Sequence, residues 1–226
     1  MGQPQSVEGG PRLSSIPPPY DTPTPPKYSV KTGDTAPNFR LTSVKGGSGK
    51  VTLESLFSTK PVLLVCGSIT CPMTSKSAPV VRKMKDKYGT AFHYILVYIV
   101  EVHPKGGLHP YSGEKIPADE PTSIEEQAMT FEQRVKAAER LESVYDGVFK
   151  DLFDYILVDD LGPDALMKYN PVWSTYGTCP NPCWVVGKDG IVKFNQFFTA
   201  HDGAPPDLDM EKGEATLDRE LSAVLS

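Results

Sequence analysis

Residues 61–101 read PVLLVCGSITCPMTSKSAPVVRKMKDKYGTAFHYILVYIVE, and this stretch decides the architecture. Pro61 to Cys66 is short, continuous and rich in β-branched residues, the pattern of a strand buried on both faces of a sheet. From Ser75 to Tyr88 the residues Val80, Val81, Met84 and Tyr88 recur at helical spacing, with Pro79 expected to kink the helix. A second apolar run, from Phe92 to about Glu101, reads as another buried strand. A strand, a helix and a strand in this order predict a parallel pair joined by a right-handed crossover. The class is therefore α/β.

Working outward, Gly33 to Leu41 leads into a short alternating segment that reads as an edge strand. Residues 104–121 hold several Gly and Pro with no periodicity and are expected to form a long loop. Ser123-Ile124-Glu125-Glu126 has the form of a capping box. It precedes an apolar stripe of Ile124, Ala128, Phe131, Val135, Ala138, Leu141 and Val144, so a helix is predicted from there. Tyr155 to Val158 reads as a strand, and Asp164 to Tyr169 as a short helix. Trp184 to Val186 and Ile191 to Phe194, joined by Gly187-Lys188-Asp189-Gly190, predict an antiparallel hairpin. Ala215 to Leu225 carries Leu217, Leu221, Val224 and Leu225 at helical spacing. This order is that of a thioredoxin-like fold, a mixed sheet flanked by helices with an inserted loop and helix.

The chain has 226 residues, 39% hydrophobic and 23% charged, which suits one enlarged domain with a substantial core. Residues 1–30 hold 8 of the 22 prolines and few large aliphatics, and are expected to form a disordered or extended arm, with the folded domain at 31–226. A net charge of -5 disfavours nucleic-acid or anionic-membrane partners. No apolar run reaches the roughly 20 residues that a spanning helix needs. Four cysteines without a secretory leader point to a reducing, cytoplasmic setting.

Cys71 follows Gly67-Ser68-Ile69-Thr70 and precedes Pro72, at the start of the predicted helix. Free N–H groups and the helix dipole favour an anion there, and such positions lower a thiol pKa. Ser68 and Thr70 would add hydroxyl donors. The competing reading is a small buried hydrophobe, and for Cys66, inside its apolar run, that reading is preferred.

Three blocks, Gly67-Ser68-Ile69-Thr70-Cys71-Pro72, Tyr98-Ile99-Val100-Glu101-Val102-His103-Pro104, and Phe131-Glu132-Gln133-Arg134-Val135-Lys136-Ala137-Ala138, resemble in that order the iodothyronine deiodinase family. Cys71 stands where that family has selenocysteine. The resemblance implies a thioredoxin-fold reductase that removes iodine from an aromatic ring, with Cys71 as nucleophile. Ser68, Thr70, Tyr98, Glu101 and His103 would form its proton-relay and orienting shell. It further implies a small-molecule substrate, no tightly bound cofactor, and regeneration by an external thiol such as glutathione or thioredoxin. Family members typically carry an N-terminal membrane anchor, where this chain has its Pro-rich arm. A second active-site histidine of the family falls on Ala118, Asp119 and Glu120, and its late arginine near Thr199 to Gly203. The residues alone place Glu101 and His103 on one face of a strand end and Tyr98 on the other, so that the carboxylate raises the imidazole pKa. A solvated strand-end pair is the other reading.

Gly33-Asp34-Thr35-Ala36-Pro37-Asn38-Phe39 also resembles the start of peroxiredoxins, in which Thr or Ser stands three residues before the reactive cysteine, as Ser68 does here. Leu64 replaces their upstream proline. Peroxide reduction is thus an alternative chemistry. Thr178-Cys179-Pro180-Asn181-Pro182-Cys183 precedes the hairpin, where thioredoxin-like folds carry a cis-proline; Pro182 is the candidate. Cys179 and Cys183 are candidates to resolve an oxidised Cys71, to form a structural pair, or to bind copper or zinc in a module without turnover. His93 is expected to pack in a strand. His109 and His201 receive no role, and a homodimer is left open.

Overall fold

A computed structural model describes residues 30–109, 114–161, 170–176, 182–197 and 210–226. The expected arm, apart from Val30, lies outside these residues, as do the predicted helix at 164–169, Cys179 and His201.

The two apolar runs form β3 (Val62–Gly67) and β4 (His93–Tyr98), paired in parallel with Val62 opposite His93 and Gly67 opposite Tyr98. Alternate residues point to opposite faces, and both faces are covered. Val62, Leu64, Cys66, Ile95 and Val97 join one core cluster, and Leu63, Val65, Tyr94, Leu96 and Tyr98 the other. The crossover is α2 (Pro72–Tyr88), which begins with Cys71 as N-cap and Pro72 in the first turn and continues through Pro79. It buries Ala78, Val80, Val81 and Met84 against the second face.

Around this pair are β1 (Arg40–Lys45), β2 (Lys50–Thr52), β5 (Tyr155–Val158), β6 (Pro182–Val186) and β7 (Val192–Phe197). The sheet runs β2-β1-β5-β4-β3-β6-β7. Strand β5 is parallel to β4, β6 is antiparallel to β3, and the expected hairpin β6–β7 forms. A central parallel βαβ unit with an antiparallel hairpin beside its first strand is the thioredoxin-like arrangement. Helices α1 (Leu53–Phe57) and α4 (Pro171–Tyr176) contribute to one face; α3 (Phe131–Arg140) and α5 (Met210–Leu225) lie with α2 on the other. No helix of the described residues is long and apolar enough to cross a membrane.

Two expectations need correction. Strand β1 is not an edge strand, because β2 occupies the edge and β1 pairs with β5, more than 100 residues away in sequence. The capping box lies at Thr130 and Gln133 rather than Ser123 and Glu126. The Thr130 hydroxyl accepts the Gln133 N–H at 3.2 Å, and the Gln133 side chain accepts the Thr130 N–H at 3.0 Å. Residues before Thr130 are diverted to pinning the end of β4. The Gln127 side chain accepts the Glu101 N–H and donates to the Glu101 carbonyl, both at 3.1 Å.

Candidate active site at the ends of β3 and β4

Parallel strands β3 and β4 deliver their C-terminal segments, Ser68 to Cys71 and Ile99 to His103, side by side; the Ile99 N–H bonds the Gly67 carbonyl at 3.0 Å. Glu101 is the hub. It is 2% exposed, and every hydrogen bond given to its carboxylate comes from a donor. One oxygen accepts the Thr70 N–H at 3.0 Å and the Thr70 hydroxyl at 2.7 Å; the other accepts the Tyr98 hydroxyl. The Tyr98 oxygen in turn accepts the Ile69 N–H at 3.3 Å, and the Thr70 oxygen accepts the His103 N–H at 3.1 Å. The network is thus oriented for an ionised carboxylate, while burial pushes the Glu101 pKa up against those bonds. Burial and the neighbouring Glu101 charge also push the Tyr98 phenol well up.

His103 does not pair with Glu101. Its Nδ1 lies 3.1 Å from the Thr70 carbonyl, an acceptor, so Nδ1 carries the proton and Nε2 has no hydrogen bond to a described residue. The expected shared face fails because β4 ends at Tyr98. Beyond it the chain leaves the pleat and the alternation of faces no longer applies, so Tyr98 and Glu101 meet instead. The His109 ring packs on that of His103 with centroids 5.3 Å apart. Burial and His103 lower the His109 pKa to about 4.

Cys71 is 1% exposed. The Thr74 hydroxyl and the N–H groups of Thr74 and Met73 lie near its sulfur and favour the thiolate, although the Cys71 side chain makes no cap hydrogen bond to the helix start. Burial outweighs them, and the pKa is raised rather than lowered. The sequence located the helix dipole correctly but not the desolvation. The Ser68 hydroxyl is buried with no partner among the described residues. Its N–H bonds the Thr74 hydroxyl at 3.3 Å.

Cys66 is packed in the core as expected. Cys183 faces the opposite core cluster from β6, and burial drives its thiol pKa far up. No hydrogen bond links it to Cys71, and no disulfide forms among Cys66, Cys71 and Cys183. The Asn181–Pro182 bond, where the cis-proline was expected, involves Asn181, outside the described residues. No three His, Cys, Asp or Glu side chains converge as metal ligands among the described residues. His93 packs at the strand start, its Nε2 2.8 Å from the Thr59 hydroxyl.

Sequence reasoning missed Gln127, Thr74 and Tyr145, and gave Arg134 no role. The Tyr145 hydroxyl donates to the Ile69 carbonyl at 2.7 Å. Arg134 is 1% exposed and bonds the Asp159 carbonyl at 3.0 Å and the Asn170 side chain at 2.6 Å. The Asp159 carboxylate, fully buried, accepts N–H groups of Asp160, Val172 and Trp173. Its pKa rises to about 6, burial outweighing the Arg134 charge. A polar residue within a helix signature, such as Arg134, was the one signal available.

A family model described as iodothyronine deiodinase matches residues 27–155, more than half of the chain. The human type II iodothyronine deiodinase is 31% identical over 130 residues, covering 50% of this chain and 45% of that protein. The type II iodothyronine deiodinase of Neoceratodus forsteri is 32% identical over 90 residues, 34% of each. The chain thus spans under half the length of these relatives. Among solved structures, a hypothetical protein from Sinorhizobium meliloti 1021 superposes with a TM-score of 0.51 at 14% identity, over 88% of each chain. The matched segment contains Cys71, Glu101, His103 and Arg134, and the chain belongs to the iodothyronine deiodinase family.

Proposed function

We propose that this chain is a thiol-dependent oxidoreductase of deiodinase type with Cys71 as nucleophile. The observation that carries the reading is the position of Cys71, the N-cap of α2, beside the free N–H groups of the helix start and next to Thr70, which the Glu101 carboxylate holds. In the dehalogenation, the Cys71 thiolate attacks the iodine of an aryl iodide. An S–I bond forms, the C–I bond breaks, and its electron pair stays on the ring carbon, which takes a proton from His103 Nε2 while the ring carries protons on both nitrogens, Nδ1–H staying on the Thr70 carbonyl. A first external thiol displaces iodide from sulfur to give a mixed disulfide and release a proton. A second thiol releases the disulfide and restores the Cys71 thiolate, and its proton returns to His103 Nε2. The sum is one aryl iodide and two thiols giving arene, disulfide, iodide and a proton.

Glu101 holds Thr70 and Tyr98, and Thr70 holds His103 by both its backbone N–H and its ring. These residues therefore orient the acid. An external thiol such as glutathione or thioredoxin is favoured as the reductant because Cys183 is sealed in the core. Such a reductant fits a cytoplasmic location.

One observation favours peroxide reduction as a second reading. The unpartnered Ser68 hydroxyl, three residues before Cys71, is a donor for a small oxygen ligand. The test is iodide release from iodinated phenols, and loss of hydrogen peroxide, with dithiothreitol as reductant. Cys71→Ser should reduce turnover at least 100-fold with an unchanged circular dichroism spectrum. Retained activity would refute the role of Cys71, and peroxide turnover without iodide release would select the second reading.

A further inference from the structure

Three consecutive residues after α3, Tyr145, Asp146 and Gly147, have φ of 49°, 54° and 73°. Glycine adopts this region freely, but a tyrosine and an aspartate do so against the clash of their Cβ atoms, and strain of this kind concentrates at functional sites. The turn does not rest on the Asp146 side chain, which is exposed. What it accomplishes is the placement of Tyr145. The half-buried phenol reaches back 76 residues to the Ile69 carbonyl, two residues before Cys71. Its ring meets Phe149 edge-on, centroids 6.3 Å apart. The hydroxyl also lies within electrostatic range of Cys71, Glu101 and Glu120, and burial raises its pKa to about 12, so it is neutral and a donor. Meanwhile the Cys71 sulfur, which any substrate must reach, is almost wholly enclosed.

We propose that Tyr145 is the gate of the Cys71 site: its phenol, latched on the Ile69 carbonyl by a strained left-handed turn, closes access to the thiol, and a reactant must displace it. The strain is released when the turn opens and offsets part of what opening costs, namely the hydrogen bond to Ile69, the ring contact with Phe149 and the packing of the half-buried ring against the core. Opening also hydrates the thiol and relieves the burial that raises its pKa, which leaves the N–H groups of α2 to favour the thiolate. The gate makes Tyr145 a determinant of the size of reactant admitted.

The gate is argued from the latch on the Ile69 carbonyl, the strained turn and the enclosure of Cys71, and its test needs no turnover. The protein is treated with iodoacetamide and, separately, with the bulkier N-phenylmaleimide, and modification is followed for the Cys71, Cys66 and Cys183 peptides. Tyr145→Phe, which removes only the latch, should speed alkylation of Cys71 about three- to tenfold. Tyr145→Ala should speed it further, and more for the maleimide than for iodoacetamide. Asp146→Gly, which keeps the phenol and relieves the turn, should slow it. Cys66 and Cys183 should remain protected in every variant. Cys71 rates within twofold of the parent in both Tyr145 variants would overturn the gate. So would a parallel rise at all three cysteines, because the opening would then be global, or a faster Asp146→Gly.

Discussion

Replacing Thr70 by valine removes one hydroxyl from the centre of the site while keeping the branched shape of a residue that is fully buried. Two bonds are lost. The Thr70 hydroxyl donates to the Glu101 carboxylate at 2.7 Å and accepts the His103 N–H at 3.1 Å. A hydrogen bond to a charged group contributes about 1.5–3 kcal/mol and a neutral one about 0.5–1.5 kcal/mol. The extra methyl offsets about 0.8 kcal/mol. The expected net loss is about 2–3 kcal/mol, a fall of roughly 1–2 M in urea midpoint for a slope near 1.5–2 kcal/mol/M. The loss should depend on pH, because this hydroxyl lowers the pKa of Glu101 from the raised position that burial gives it. Without it the folded-state pKa rises further. The advantage of the parent is therefore present where its Glu101 is ionised and shrinks as pH falls through the folded-state pKa, which lies above the ordinary value of 4.5. Urea unfolding at pH 8 and pH 4 measures both effects. A loss below about 1 kcal/mol at pH 8, or an equal loss at both pH values, would refute the placement of an ionised carboxylate at the hub.

Arg134→Met should remove the bonds to the Asp159 carbonyl and the Asn170 side chain together with the positive charge near the buried Asp159 carboxylate, and cost about 3 kcal/mol or more in urea unfolding at pH 8. Because Arg134 lowers an Asp159 pKa that stands at about 6, the charge-dependent part of the cost should be full well above that value and be lost as pH falls through it. Gly67→Ala would bring a Cβ to 2.6 Å from the Thr74 hydroxyl and 2.7 Å from its methyl. Thr74 is buried, accepts the Ser68 N–H with its hydroxyl and donates its own N–H to the Cys71 carbonyl at 2.9 Å, so the substitution should lower stability by about 1–3 kcal/mol. It should also change the pH dependence of Cys71 alkylation.

The apolar runs at 62–67 and 93–98 made β3 and β4 readable because burial on both faces demands continuous hydrophobicity, a local property. The hairpin was readable for the same reason, its Asp189-Gly190 turn being local; Gly190 has φ of 74°. Where the outcome depended on distant partners, the sequence misled. Strand β1 looked like an edge, but β5, more than 100 residues on, pairs with one side of it while β2 takes the other, and Ser123 offered a helix start that Gln127 forestalled by bonding Glu101. The site residues Ser68, Thr70, Cys71, Tyr98, Glu101 and His103 do come together, but their wiring differs. The Glu101 partner followed from where β4 ends, and the sign of the Cys71 shift from the depth of its burial. Tyr145 had no legible tie to Cys71, since only the tertiary fold brings a residue 74 positions downstream to the active-site loop.

The most direct test of the central role of Cys71 is to quench the protein with acid during turnover of an iodinated phenol with glutathione, and to map all four cysteines by mass spectrometry. The account predicts a glutathione mixed disulfide on the Cys71 peptide that accumulates only when substrate is present, with Cys66 and Cys183 remaining thiols. Iodide release that proceeds while Cys71 stays unmodified and freely alkylatable throughout would contradict it.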